Sequence, residues 1–260
     1  MAIIAVSIAT LLKPKTESPS STPRDYAEIA QSGVLRATTE YNTLSLYVDK
    51  DTLSGFYYEI LKAFAKEHDL KLEINPEMSF KKRMEGLANG DYDLIAYGLQ
   101  ATSLLKDSLL LTTPITLSKH VLVQREPTSI DDSTYIKSQL ELAGKTVHVV
   151  KGSPAILRIH NLSNEIGDTI YIKEIEKYGS EQLMEMVAHG DIDYAICEEN
   201  IARILCDSLP QIDIHTAISF TQSYSWGVSK QSPHLLDTLN NWLETFKKKD
   251  AYKALVKKYY

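Results

Sequence analysis

The stretch MEGLANGDYDLIA at 84–96 returns 100 residues later as MEMVAHGDIDYAI at 184–196, with six of the thirteen positions identical. No other feature constrains the fold as tightly. Before the shared glycine, apolar positions recur at helical spacing: Phe80, Met84 and Leu87 in the first copy, Leu183, Met184 and Val187 in the second. Asn89-Gly90 and His189-Gly190 then stop each helix. DLIAY and DYAIC after them read as buried strands. A helix feeding a strand through a tight Gly-Asp turn is half of an α/β unit. Two copies so far apart are too few for a solenoid. They predict two similar α/β lobes.

Matching pieces lie in front of each copy. In the first half, 33–39 and 70–75 read as strands around an amphipathic helix at 55–69. In the second half, 145–150 and 168–175 read as strands around a helix at 153–162. Between the halves, KHVLVQR (119–125) is an extended apolar run suited to a crossover, and SYSWGVS (223–229) reads as a strand returning the other way. Two crossovers make the lobes discontinuous. Residues 26–118 with 219–260 form one, and 119–218 the other, hinged about a cleft. Ligands of open α/β sheets bind at the carboxyl ends of strands and at helix N-termini. The cleft is therefore the expected binding site.

A chain of 260 residues can bury two cores. Its net charge of −6, without a basic stripe, speaks against nucleic acid as a partner. The one dense basic run, FKKKD at 246–250, reads as a solvated helix face. Fifteen tyrosines against five phenylalanines suit either a cleft for polar ligands or half-buried strands. The histidines fall at no metal-ligand spacing, and neither a Gly-x-Ser-x-Gly elbow nor a phosphate-binding glycine loop is present. No metal or cofactor is expected. If the residues between Cys197 and Cys206 are helical, about 13 Å separates them. That is too far for a disulfide, and two free thiols follow.

The N-terminus carries an uncharged apolar run, AIIAVSIATLL at 2–12, of the length of a signal h-region and too short to span a membrane comfortably. Basic residues follow it, at Lys13 and Lys15, rather than precede it. It reads as a signal or an anchor, with a buried helix as the alternative. KPKTESPSSTPRD at 13–25 reads as a polar, flexible tether. Together they predict an extracytoplasmic, periplasmic domain, tethered to the membrane only through residues 1–25.

The ordered set GVLRATTEYNTLSLY, LSGFYYEILKAFAKE, MEGLANGDYDLIAYGL, LAGKTVHVVKGSPA, GDIDYAICEENIA and AYKALVKKYY resembles the extracytoplasmic solute-binding proteins of family 3. These are type II periplasmic binding proteins of amino-acid uptake systems. The likeness runs from about residue 30 to the last residue. Within that superfamily the chain is most similar to the non-catalytic N-terminal domain of membrane-bound lytic murein transglycosylase F. TTEYNTLSLY lacks the proline pair and aromatic usual after the first strand of amino-acid binders, SYSWGVS resembles that domain's Thr-Trp strand, and the apolar N-terminus has no lipid-accepting cysteine near it. In that enzyme a lysozyme-like domain follows the KKYY-like end. This chain stops at Tyr260, so the catalytic glutamate is not expected in it.

The resemblance implies a site. In KGSPA, Ser153 as N-cap and Pro154 as first helical residue would leave backbone N–H groups, Gly152 among them, for a carboxylate. An ordinary capped helix reads the same way. GLQATSLLKD (98–107) would supply the opposite wall through Gly98, Gln100 and Thr102. Amino-acid binders of the family carry an arginine three residues after that threonine, where this chain has Leu105. The neighbouring Lys106 is a point charge facing elsewhere, without the planar fork of a guanidinium. Glu198 stands where the family has an aspartate for the ligand's amino group; alternatively it merely opens a helix at 198–205. Tyr41 and Asn42 are expected as stacking or polar contributors, and Trp226 as a core residue of the hinge strand. Asp91, Asp93, Asp191 and Asp193 read as a shared turn rather than catalytic pairs.

A non-catalytic binding module follows, closing two lobes on an amino acid, a peptide or a cell-wall fragment and working with a transporter. The alternative is a regulatory domain of a lytic transglycosylase-like protein, partnered by a cell-wall lyase domain. A stand-alone enzyme is disfavoured by the lack of a nucleophile, metal or acid pair.

Overall fold

The computed structural model describes residues 22–260 and builds two mixed sheets, each flanked by helices on both faces. The apolar run at 2–12 lies outside the described residues. The first stretch gives α1 (Tyr26–Ser32), β1 (Val34–Thr39), a hairpin of β2 (Tyr47–Asp49) and β3 (Thr52–Ser54), α2 (Phe56–Glu67), β4 (Lys71–Pro76), α3 (Phe80–Ala88), β5 (Leu94–Gln100), α4 (Ser103–Ser108), and the short β6 (Leu110–Leu111) and β7 (Thr116–Ser118). The middle gives β8 (His120–Arg125), β9 (Thr146–Val150), α5 (Ala155–Ile166), β10 (Tyr171–Ile175), α6 (Ser180–His189), β11 (Ala195–Glu198), α7 (Glu199–Cys206) and β12 (Ile212–Asp213). The chain closes with β13 (Gln222–Val228), α8 (Pro233–Phe246) and α9 (Asp250–Tyr259).

The two sheets share one plan. The first runs β4-β1-β5-β13-β6, with β7 also on β13; the second runs β10-β9-β11-β8-β12. In each, three parallel strands are joined by one antiparallel strand: β13 against β5, and β8 against β11. The repeated phrase is α3–β5 in one lobe and α6–β11 in the other. Its glycines take the left-handed conformation that only glycine adopts freely, at φ 72° for Gly90 and 83° for Gly190.

Strand periodicity splits each core across its sheet. On β8, Leu122 faces α5 with Val147 and Val149, while Val121 and Val123 face α6. On β11, Ile196 faces the α5 side, and Ala195 and Cys197 the α6 side. In the first lobe, Leu94 and Ala96 of β5 join a core built with α2 and α8, while Ile95 and Leu99 join Leu87 and Leu105 on the other face. Trp226 is fully buried on β13 in that larger core.

Two passages connect the lobes and lie side by side. Lys119 alone separates β7 from β8, and residues 214–221 lead from β12 to β13. His120 N–H donates to Ser219 Oγ (2.9 Å), Ile218 N–H donates to His120 O (2.9 Å), and Val121 bridges Ala217. This two-stranded passage is the hinge.

Three local expectations change. Arg24 and Asp25, read as tether, are tied to the first lobe. Asp25 caps α1 and accepts from the Leu235 N–H at 2.8 Å, and Arg24 reaches Asp93 at 2.6 Å. The helix expected from Ser153 begins at Ala155, with Pro154 in the cap position. Cys197 lies on a strand rather than in a helical run to Cys206, yet both thiols are free.

Candidate functional site

The equivalent strands β5 and β11 end at Gln100 and Glu198. The two equivalent strand ends meet at one cavity of about 400 Å³ between the lobes. Six of the eight expected residues line it: Gly98, Gln100, Thr102, Gly152, Ser153 and Glu198. Tyr41 and Asn42 do not. Tyr41 is half exposed, its N–H donating to Met78 Sδ at 3.4 Å. Asn42 is spent on its own turn, where Oδ1 accepts from the N–H groups of Leu44 (3.1 Å) and Ser45 (2.6 Å). That side-chain turn swings the chain away after β1 and leaves Glu40, one residue earlier, facing the cavity.

The KGSPA turn is closed on itself. Ser153 N–H donates to Val150 O (3.0 Å), Ala155 N–H to Ser153 Oγ (3.2 Å) and Ile156 N–H to Ser153 O (3.1 Å). Gly152 N–H donates to the Glu174 carboxylate at 3.2 Å. The N–H groups expected to be free for a ligand carboxylate therefore serve the turn. The cause is geometric: Pro154 has no N–H, and the chain tightens onto the carbonyls before it. Thr102 likewise caps α4, its Oγ1 accepting from Leu105 N–H at 3.3 Å. Leu105 is buried in the cavity wall, and Lys106 does not line it.

Glu198 is the polar centre of the second lobe's wall. It ends β11 without capping α7, is only 7% exposed, and its Oε1 meets no hydrogen-bond partner. Burial pushes its pKa up to about 8, with Glu40 adding to the rise and Ser118 and Asn200 opposing it. The helix opens instead with Glu199, which pairs with Arg203 at 2.8 Å. His120, at the hinge, is held down at about 4 by burial and is neutral. Burial and the Glu198 charge raise the Tyr224 phenol far above its ordinary value.

Sequence reasoning missed Glu40, Arg83, His120 and Tyr224, all of which line the cavity. Arg83, on α3, is 1% exposed and pairs with Glu40 at 2.7 Å, its guanidinium 4.9 Å from the Tyr97 ring centre. Nothing in FKKRMEG distinguishes this arginine from its lysine neighbours. Only packing turns it inward. His120 and Tyr224 sit in hinge strands that patterning marked simply as apolar.

His120 Nδ1 meets no partner, and burial raises the Cys197 thiol to about 12. Among the described residues, no group of three or more His, Cys, Asp or Glu gathers to hold a metal. Across the cleft, Thr43 N–H and Oγ1 donate to Glu181 Oε1 at 2.7 and 2.6 Å, so the lobes touch.

This architecture has well-populated company. ArgBP from T. maritima, in a mutant form, superposes with a TM-score of 0.77 at 22% identity, covering 90% of this chain and 97% of that one. An ancestral arginine-binding protein bound to arginine gives a TM-score of 0.75 at 25% identity, covering 88% and 98%. In sequence, membrane-bound lytic murein transglycosylase F of Desulfosudis oleivorans is 26% identical over 234 residues, which is 90% of this chain and 50% of that protein. Its counterpart in Yersinia pestis is 27% identical over 225 residues, 86% of this chain and 45% of that protein. The chain thus spans about half the length of the curated relatives it matches. The model of the bacterial extracellular solute-binding proteins, family 3, matches residues 35–260. On the match across both lobes, the chain belongs to the bacterial extracellular solute-binding proteins, family 3.

Proposed function

We propose that this chain is a non-catalytic solute-binding module whose two lobes close on a small ligand held in the cleft. The observation that carries the reading is the meeting of two equivalent strand ends at one cavity, beside a two-stranded hinge. Lobe motion about such a hinge needs only a few backbone torsions to change. The output would be the closed form, presented to a membrane transporter or to a partner domain. The place of work would be outside the cytoplasm, with the residues ahead of Arg24 as signal or tether. Among the described residues no helix is long and apolar enough to cross a membrane.

A second reading makes the two lobes the regulatory part of a transglycosylase F-like protein. It is favoured by the matches to about half of that enzyme in several organisms. A thermal-melt panel of free amino acids, di- and tripeptides and soluble peptidoglycan fragments separates the two. A ligand at one hundred times its dissociation constant adds about 2.7 kcal/mol of stability. Small-angle scattering should show a smaller radius of gyration with the same ligand. A shift with transportable solutes supports the first reading, and one confined to cell-wall fragments supports the second. No shift and no compaction with any member would sink the binding module.

A further inference from the structure

Two of the partnerless buried atoms of the cleft, Gln100 Oε1 and Glu198 Oε1, can only accept, and among the described residues no unpaired lysine or arginine head faces them. Gln100 Oε1 and Glu198 Oε1 are buried without a hydrogen-bond partner, and His120 Nδ1 and Tyr224 Oη are in the same condition. The cationic groups of the wall are already paired. Arg83 gives one terminal nitrogen to Glu40 (2.7 Å) and the other to Glu77 O (2.5 Å), and its buried Nε has no partner. A guanidinium already paired with Glu40 offers a ligand carboxylate no net charge. Lys151 stands at the exposed rim, 3.1 Å from Glu176. The backbone N–H groups of the 152–156 turn are bonded within it, one of them to the Glu174 carboxylate.

The remaining wall is apolar. Leu105 and Ile156 line it from opposite lobes. At the mouth, Leu104 of the first lobe is 75% exposed and Leu157 of the second 60% exposed. A ligand carboxylate in this cavity would lie beside a buried glutamate with no unpaired cation to offset its desolvation. An ammonium group would satisfy the same acceptors that otherwise stay unpaired.

We infer that the cleft takes an alkyl- or arylalkyl-ammonium ion without a carboxylate, its N–H groups donating to Glu198 Oε1 and Gln100 Oε1 and its apolar body lying between Leu105 and Ile156. The inference rests on the binding reading above and narrows it. The uptake solute, or effector, is then an amine rather than an amino acid.

The test is calorimetric titration of the full chain at a pH just above 8, where Glu198 ionises. The probes are 2-phenylethylamine, L-phenylalanine and 3-phenylpropionate, with soluble peptidoglycan fragments as a separate arm. The amine should bind at least about tenfold tighter than the amino acid, as expected when a buried carboxylate costs more than the ammonium gains. Glu198→Gln should weaken the amine by about tenfold or more, the loss of one charge-assisted hydrogen bond. If Glu198→Gln fails to fold, the amine–amino acid comparison stands on the unaltered chain, and Gln100→Leu removes the other acceptor. L-phenylalanine or 3-phenylpropionate binding as well as the amine overturns the inference, as does undiminished amine binding by Glu198→Gln. Binding of peptidoglycan fragments without amines overturns it too, yet leaves the binding module standing. Silence from every probe overturns both.

Discussion

Asp93 and Asp193 occupy the same place in two copies of one turn, yet the protein treats them differently. The Asp93 side chain has no exposure and takes Arg24 at 2.6 Å, Arg36 at 3.2 Å and the Arg36 N–H at 2.8 Å. The Asp193 side chain is 68% exposed and takes one arginine, Arg125, at 2.6 Å. The backbone turn is common to both, so the turn does not need the buried network. Asp93 is buried because the chain entering the first lobe, through Arg24, closes over it. The second lobe is an internal insertion and has no such entering segment. The same turn thus locks the segment entering the first lobe and stays solvated in the second. Two further pairs at the same offset diverge as sharply: Gly98 against Glu198, and Gly86 against Met186.

The widest contrast is expected from the strand ends. Glu198 in the folded chain titrates at about 8 against an ordinary 4.5, because burial disfavours its charge. The native state therefore holds a proton that the unfolded chain has released. This contribution is full below 4.5 and is lost as pH rises to about 8, a swing on the order of 5 kcal/mol at most. Urea denaturation across that window should show wild type losing stability relative to Glu198→Gln. Parallel profiles would mean that Glu198 is ionised in the empty cleft.

Next in size is the turn pair itself. Asp93→Ala strands two arginines that are only partly exposed and should cost about 3 kcal/mol. The corresponding denaturation midpoint should return to near wild type if Arg24 and Arg36 are removed with it. A loss equal to that of Asp193→Ala would erase the distinction between the copies. Gly86→Ala should follow, at about 1–3 kcal/mol. Its methyl group would stand 2.5 Å from the Tyr92 ring. At the equivalent place the second copy already carries Met186, so the contrast belongs to what folds over the helix, not to the helix. Gly86→Ala combined with Tyr92→Ala should recover part of the loss; no recovery would place the cost elsewhere. The smallest effect is Asp193→Ala, at no more than about 1 kcal/mol, because an exposed pair gains little over water. Thermal melts at high and low salt check it, since the exposed pair should weaken with screening and the buried one should not.

Where the residues themselves carried a local rule, the sequence was readable. The helix stops at Gly90 and Gly190 require a left-handed residue, and the strands after them alternate by a period of two. Both are short-range consequences of backbone sterics. The equivalence of the two phrases then implied two lobes, and the intervening apolar runs implied the hinge. The cleft was legible to the extent that strand ends and helix starts bind ligands in such sheets, which brought Gly98, Gln100, Thr102, Gly152, Ser153 and Glu198 to one place. It was illegible where a side chain's role depends on what closes over it. Asn42 and Thr102 look like ligand contacts but serve their own turns, because short polar side chains compete for nearby backbone N–H groups. Arg83 looks like a surface cation and is buried against Glu40 and Tyr97.

By itself, then, the order of residues determined the elements, their doubling and the two crossings, since each rests on local periodicity and turn chemistry. Only the tertiary structure decided which polar groups face the cleft without partners, which aspartate is locked away, and that the KGSPA turn spends its own N–H groups. Those outcomes depend on desolvation and on hydrogen bonds between distant segments, and neither is written in any one stretch of the chain.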